Sequence, residues 1–218
     1  DAFSPDVRGS PRFVPARAIL RGVDQFDAEF FGMRAREAEL TDPQHRLLLE
    51  CGWPALEDGG YDPSRYSGAI GVFAGCSMNT YLLASVLGDR AAAESFASDY
   101  QVGSYETLMG ALGDTLATRL AYKLNLRGPA MTVQSACSTS LLAVAQACQS
   151  LLLYQSDMAL AGGVSITFPQ KRGYLHQEGG MVSSDGVCRP FDADASGTVF
   201  ADGGAMVLLK RLDDAVED

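Results

Sequence analysis

The chain has 218 residues, 17 Lys+Arg against 27 Asp+Glu, a net charge of −10 and a hydrophobic fraction of 47%. That apolar content argues against intrinsic disorder, and the acidic balance without a run of Lys/Arg argues against a nucleic-acid binder. A membrane span is excluded, because the longest apolar runs, residues 141–145 and 151–154, fall far short of the ~20 residues a spanning helix needs.

The length suits one large domain, or one and a half small ones. Five cysteines (Cys51, Cys76, Cys137, Cys148, Cys188) are scattered without a CxxC pair, and only His45 and His176 could join them at a metal. No metal site is expected, and a reducing cytoplasm is the simplest setting. The first residues carry neither a basic n-region nor an apolar h-region, so no signal peptide is expected. The chain begins at Asp1 and stops in Leu212-Asp213-Asp214, which reads as a helix just starting with Asp as its cap; a piece of a longer protein is expected.

In chain order, residues 1–40 read as irregular, with an aromatic cluster at Phe26, Phe30 and Phe31. Asp42-Pro43-Gln44 opens a helix, with Asp42 as N-cap and Pro43 in the first turn. Leu47, Leu48 and Cys51 form its apolar stripe, Pro54 is expected to kink or interrupt it, and Gly59-Gly60 ends it. Residues 69–75 read as a short buried strand. Residues 76–110 are ambiguous, with helical pieces near 82–87 and 104–112. A helix over 114–126 places Leu116, Leu120, Ala121 and Leu124 on one face. Gly128-Pro129 breaks the chain before a strand at 131–134. The helix over 138–153 is apolar nearly all round, which predicts a central, buried position. A buried strand follows at 158–166, then a long Gly- and Asp-rich stretch over 169–203, then a strand at 205–212. Strands alternating with helices predict an α/β domain with a largely buried sheet.

The segment Val133-Gln134-Ser135-Ala136-Cys137-Ser138-Thr139-Ser140-Leu141 carries the chemistry. A strand runs directly into a helix with Cys137 at the junction, between small neighbours that let another molecule approach. A helix N-terminus presents unpaired N–H groups and partial positive charge, which favour a thiolate and can hold an oxyanion. Cys137 is therefore the best nucleophile candidate. On these residues alone the other reading, a small core hydrophobe, stays open.

The same segment resembles the active-site run of β-ketoacyl synthases, in particular the ketosynthase domains of modular polyketide synthases. Five further blocks are similar in order along the chain. They are Asp42-Pro43-Gln44-His45-Arg46-Leu47-Leu48-Leu49-Glu50 with Ala55-Leu56-Glu57-Asp58, then Gly71-Val72-Phe73-Ala74-Gly75, then Tyr122-Lys123-Leu124-Asn125-Leu126-Arg127-Gly128-Pro129. Asp157-Met158-Ala159-Leu160-Ala161-Gly162-Gly163-Val164 and Phe191-Asp192-Ala193-Asp194-Ala195-Ser196-Gly197-Thr198-Val199-Phe200 complete them.

The resemblance implies a thiolase-like fold, layered α-β-α-β-α when intact, with residues 1–218 as its N-terminal half plus flanking loops. It implies that Cys137 accepts an acyl group from phosphopantetheine on an acyl carrier protein, its backbone N–H serving as one oxyanion donor. Condensation with a decarboxylating malonyl-type extender then follows in the intact domain. No cofactor binds directly. Gln134 and Phe200 are implied at the acyl site, and residues 131–134 are implied to pair with those of a second copy in a homodimer. The family's two catalytic histidines and a lysine lie beyond the nucleophile, in a second half that these residues do not include. His45 and His176 are expected to be structural. The isolated chain is therefore expected not to condense. A non-condensing acyltransferase, or a structural half exposing apolar surface, are the alternatives.

Three weaker patterns are set aside. Asp192-x-Asp194-x-Ser196-Gly197 opens like a calcium loop, but Gly203 stands where the loop needs Glu. Ser77 in Gly75-Cys76-Ser77-Met78-Asn79 lacks the final Gly of a nucleophile elbow. Gly162-Gly163 lacks the rest of a dinucleotide fingerprint. Asp185 reads as a turn residue.

Overall fold

The computed structural model describes residues 5–86, 90–99 and 105–218. Its elements in order are helix α1 (Pro5–Arg8), strand β1 (Phe13–Val14), α2 (Ala35–Leu40), α3 (Pro43–Asp58), β2 (Ile70–Cys76), α4 (Arg90–Asp99) and α5 (Tyr105–Ala111). There follow α6 (Leu116–Lys123), β3 (Ala130–Thr132), α7 (Thr139–Leu152), β4 (Met158–Ser165), β5 (Tyr174–Leu175), β6 (Gly203–Lys210) and α8 (Leu212–Glu217). Among the described residues no helix is long and apolar enough to cross a membrane.

Four strands form one sheet in the order β3-β2-β4-β6. β2 pairs in parallel with β3 and β4, and β6 closes the far edge antiparallel to β4. Side chains alternate across the pleat. Ile70, Val72, Met158 and Leu160 face Leu56, Leu120 and Leu124 of α3 and α6 and of the residue after α6. Phe73, Ala159 and Ala161 face Ala143, Ala147 and Leu151 of α7. The result is three layers: α3 and α6, the sheet, and α7.

The α3 N-terminus forms as its local chemistry dictates. The Asp42 carboxylate accepts from the Gln44 N–H at 2.9 Å, and Pro43 occupies the first turn. Of the kink or interruption expected at Pro54, the interruption does not occur. Pro54 lacks the N–H that would bond the Glu50 carbonyl, but Leu48 and Leu49 before it and Leu56 after it are all buried and hold both halves against the core. Gly60, at φ 79°, completes the exit.

Three other expectations shift. β3 is shorter than residues 131–134, although Val133 still donates to the Ala74 carbonyl at 2.9 Å. In the ambiguous stretch a π-helical turn (Leu82–Val86), α4 and α5 form, while residues 87 and 104 of the expected pieces lie outside the described ones. A helix, α8, begins near the end as expected, but it already includes Leu212 and its N-cap is Arg211 instead of an Asp, held by ion pairs to Asp157 and Asp214.

The larger correction concerns α7. It buries only the face carrying Ala143, Ala147, Ser150 and Leu151, while Leu141 and Leu152 are each 72% exposed. The sheet covers one side of the helix, and no described element packs on the other. Val207 of β6 is likewise exposed beside it.

His45 is buried on α3, and both its ring nitrogens lack hydrogen-bond partners among the described residues. Burial and the nearby Arg119 charge lower its pKa to about 3. An unfolded chain protonates histidine near pH 6.5, so the stability supplied by keeping His45 neutral is present above that value and is lost as pH falls toward 3. Denaturant melts between about pH 6.5 and 5, above the main carboxylate range, should lose up to about 1.4 kcal/mol per pH unit. His45→Gln should flatten that dependence.

Candidate active site

Three segments meet at the carboxyl ends of the parallel strands. β2 delivers Gly75 and Cys76, β4 delivers Gly163 to Ser165, and the chain leaving β3 turns through residues 133–138 into α7. That turn is tight. Ala136 adopts φ 47°, a left-handed conformation uncommon outside glycine, and a single 3-10 turn (Ala136–Ser138) follows. Local hydrogen bonds secure it. Ser135 N–H donates to Thr139 Oγ1 at 2.8 Å, and the Ser138 hydroxyl donates to the Ser135 carbonyl at 2.9 Å. Cys137 is thereby held exposed immediately before a 14-residue helix. Its position is where free N–H groups and helix polarity favour developing negative charge.

Small residues bring α7 this close to the strand ends. A Cβ on Gly75 would collide with the Val133 carbonyl and with Thr139 Cγ2. Gly163 sits against Ser140, where a Cβ would lie 3.3 Å from the Ser140 Cβ.

The segments enclose a cavity of about 580 Å³ whose wall includes Cys137, Gln134, Cys76, Ser77, Met78 and Ser140. Two of the three sequence-predicted residues, Cys137 and Gln134, therefore share one cavity. Phe200 is half exposed and is not on its wall, although Gly203 is. Sequence reasoning did not place Cys76 here. The Gln134 amide donates toward its sulfur at 3.7 Å, and burial together with the Asp42 charge pushes the Cys76 thiol up to about 11. Cys76 is thus protonated at neutral pH. Of the remaining cysteines, Cys148 and Cys188 are exposed and Cys51 is half-buried, its thiol also raised by burial.

A buried amide beneath this cavity also escaped the sequence. Gln44 is fully buried. Its Oε1 accepts from the Ser77 N–H at 3.1 Å, the Ser77 hydroxyl at 2.7 Å and the Ile166 N–H at 3.3 Å. Its Nε2 donates to Asp42 Oδ2 at 3.0 Å and to the Ser77 carbonyl at 3.3 Å. One side chain thus ties the ends of β2 and β4 to the cap of α3. It also commits the Ser77 hydroxyl to a structural bond.

The other singled-out groups have structural settings. His176 Nδ1 lies 3.2 Å from the Val182 carbonyl, away from the cavity wall. Asp192 accepts from the Asp194 N–H at 2.8 Å in a local turn. Asp185 accepts from the Ser183 hydroxyl and the Val187 N–H and pairs with Arg189, which together hold its carboxyl down at about 2. No group of three His, Cys, Asp or Glu with metal-binding geometry occurs among the described residues.

Residues 4–215 match the family model described as β-ketoacyl synthase, N-terminal domain. The chain belongs to the β-ketoacyl synthase family. Its relatives are polyketide synthases: it is 46% identical to one of the phenolphthiocerol/phthiocerol polyketide synthase proteins of Mycobacterium tuberculosis, over 98% of this chain and 14% of that protein. It is 45% identical to a mycocerosic acid synthase-like polyketide synthase of Mycolicibacterium smegmatis, over 94% of this chain and 10% of that one. Ketosynthase twelve of the bacillaene polyketide synthase from Bacillus amyloliquefaciens superposes with a TM-score of 0.86 at 34% identity, covering 100% of this chain and 36% of that one. The ketosynthase from module 1 of the bacillaene synthase gives 0.80 at 36% identity, covering 99% and 35%. The fold is thus the α/β, thiolase-like fold of ketosynthases, and the chain spans about a third of those solved chains.

Two substitutions probe the site's scaffold. Gly75→Ala should cost about 3 kcal/mol by forcing α7 and the turn away from β2. Gln44→Leu, which strands the buried Ile166 N–H and removes the amide that bonds both Asp42 and the Ser77 hydroxyl, should cost a similar amount, about 3 kcal/mol. Urea melts measure both.

Proposed function

We propose that this chain carries the acyl-accepting half of a β-ketoacyl synthase acting in polyketide biosynthesis. The carrying observation is Cys137, held exposed by the left-handed Ala136 turn at the N-terminus of α7 and facing a cavity large enough for an acyl chain. In this reading the Cys137 thiolate attacks the carbonyl of an acyl thioester borne on the phosphopantetheine of an acyl carrier protein. The tetrahedral oxyanion is held by the Cys137 N–H and the helix end. Its collapse breaks the carbon–sulfur bond to pantetheine, whose thiolate takes a proton and leaves. In the intact domain a malonyl-type extender on a carrier then loses carbon dioxide. The resulting carbanion attacks the Cys137 thioester, forming a carbon–carbon bond and releasing the thiolate.

Gln134 lines the acyl cavity, whereas Phe200, which is not on its wall, is assigned to the acyl site through the family resemblance alone. β3 stands at the edge of the sheet with Met131 exposed, which supports pairing of residues 131–134 with a second copy. Five free cysteines support a reducing, cytoplasmic setting.

The test is acyl transfer to the purified 218-residue protein from an acyl-phosphopantetheine thioester, mapped by intact mass and peptide sequencing. A single adduct on Cys137, absent in Cys137→Ala and formed at least about tenfold faster than on Cys76, is the expected result. Equal labelling of all five thiols in a folded sample would sink the assignment. No β-ketoacyl product is expected from these residues alone.

A further inference from the structure

Above the sheet face that carries Ile70 and Val72, α3 and α6 pack side by side, in contact at Gly52, where a Cβ would lie 3.1 Å from Leu120 Cδ1. Each helix is followed by a left-handed residue, Gly60 at φ 79° and Asn125 at φ 53°. The chain therefore turns away sharply at both ends, and a cavity of about 780 Å³ lies between them. Its apolar wall is Trp53, Leu56, Tyr61, Pro63 and Leu124. Leu56 and Leu124 are buried, and Trp53 is held edge to face against Phe30 with ring centres 5.0 Å apart. The size and the lining are those of a small-molecule site.

Elsewhere the fold spends its charges internally. β1 pairs antiparallel with β5, Phe13 with Leu175 and Val14 with Tyr174, and Arg17 Nη2 donates to the buried Asp202 carboxylate at 3.0 Å. At this cavity two carboxylates are left over. Glu57 and Asp62 are exposed on its wall, and neither forms an ion pair among the described residues. The Ser64 hydroxyl and N–H donate to Asp62 Oδ1 and, with a smaller pull from Arg65, lower its pKa, so it stays ionised. The neighbouring cations are committed. Lys123 Nζ donates to the Gly32 carbonyl at 3.1 Å and faces Glu37 at 3.4 Å. Arg119, which shares Glu37, donates to the Met109 carbonyl at 2.6 Å. Lys210 lies over the Tyr61 ring and pairs with Asp218. The end of the 16-residue α3 adds partial negative charge of its own.

We propose that this cavity binds an aromatic amine, its ring against Trp53, Leu56 and Leu124 and its ammonium at Glu57 and Asp62. Burial of the ring supplies the affinity, and the carboxylates select the charge. An indole also draws a cation to its face. The site shares no wall residue with the acyl cavity, so it stands apart from the chemistry of Cys137.

Trp53 is the chain's only tryptophan, so its fluorescence reports from this wall. The 218-residue chain is titrated with phenethylamine, its uncharged analogue phenethyl alcohol, its anionic analogue phenylpropionate, and butylamine, which keeps the ammonium but lacks the ring. Free N-acetyltryptophanamide measures collisional quenching, which is subtracted. Phenethylamine is expected to give a saturable change and to bind at least about fivefold more tightly than the alcohol or the carboxylate, its margin over the alcohol shrinking as salt is added. Butylamine should bind at least about tenfold more weakly than phenethylamine, for want of the buried ring. Glu57→Gln should weaken phenethylamine at least about threefold while leaving phenethyl alcohol and the melting temperature unchanged. Cys137→Ala, which abolishes acyl transfer, should titrate like the parent chain. No saturable change with any probe, an uncharged, anionic or ringless probe that matches phenethylamine, or phenethylamine indifferent to Glu57→Gln would overturn the proposal.

Discussion

The close approach of α7 to the sheet is the constraint on which this structure rests. The sheet face under the helix carries Ala159, Ala161, Gly75 and Gly163, and the helix answers with Ala143 and Ala147. Phe73 of β2 and Leu209 of β6 are the large residues packed there, and Phe73 is fully buried. Because so few atoms separate helix and sheet, the chain leaving β3 has almost no room in which to turn. It does so by placing Ala136 in a conformation that costs on the order of 1 kcal/mol for a residue with a Cβ. Cys137 is exposed as a direct result of that geometry. The nucleophile's position is thus set by methyl-sized choices several residues away.

The opposite side of the sheet solves a different problem. Parallel strands that end side by side leave N–H and C=O groups just past the last ladder pair. At β2 and β4 these groups belong to Ser77, whose N–H also donates to the Val164 carbonyl at 3.0 Å, and to buried Ile166. The Gln44 amide, which can both donate and accept, satisfies them at once while bonding the α3 cap. A carboxylate there could accept but not donate, and would lie against Asp42.

Much of this was legible in the residues because its causes are local. The cap and proline at Asp42-Pro43, the alternation of Met158-Ala159-Leu160-Ala161 and the strand-to-helix passage at Cys137 are each decided within a few positions. Gln44 was not legible, since a glutamine in the first turn of a helix looks like a surface residue until the strands that need it are placed. Cys76 was hidden in the same way, because its share in the cavity depends on β3 and α7 arriving beside β2. The exposure of α7 was misjudged for the converse reason: composition records that Leu141 and Leu152 are apolar, and cannot say whether anything covers them. Arg17 and Asp202 stand 185 positions apart, beyond the reach of any local pattern.

That separation has a bearing on how the chain comes to be built. A ribosome releases Arg17 185 residues before Asp202, and β1 likewise finds its partner only when Tyr174 and Leu175 have emerged. Phe13, Val14 and Arg17 thus wait for partners made much later, while β2, β3, α7 and β4 can assemble in the order they appear. The N-terminal segment behaves as a clasp fastened after the body is made. Its fastening joins segments 185 positions apart at one buried carboxylate, so a nascent molecule halted before Asp202 would keep that segment loose.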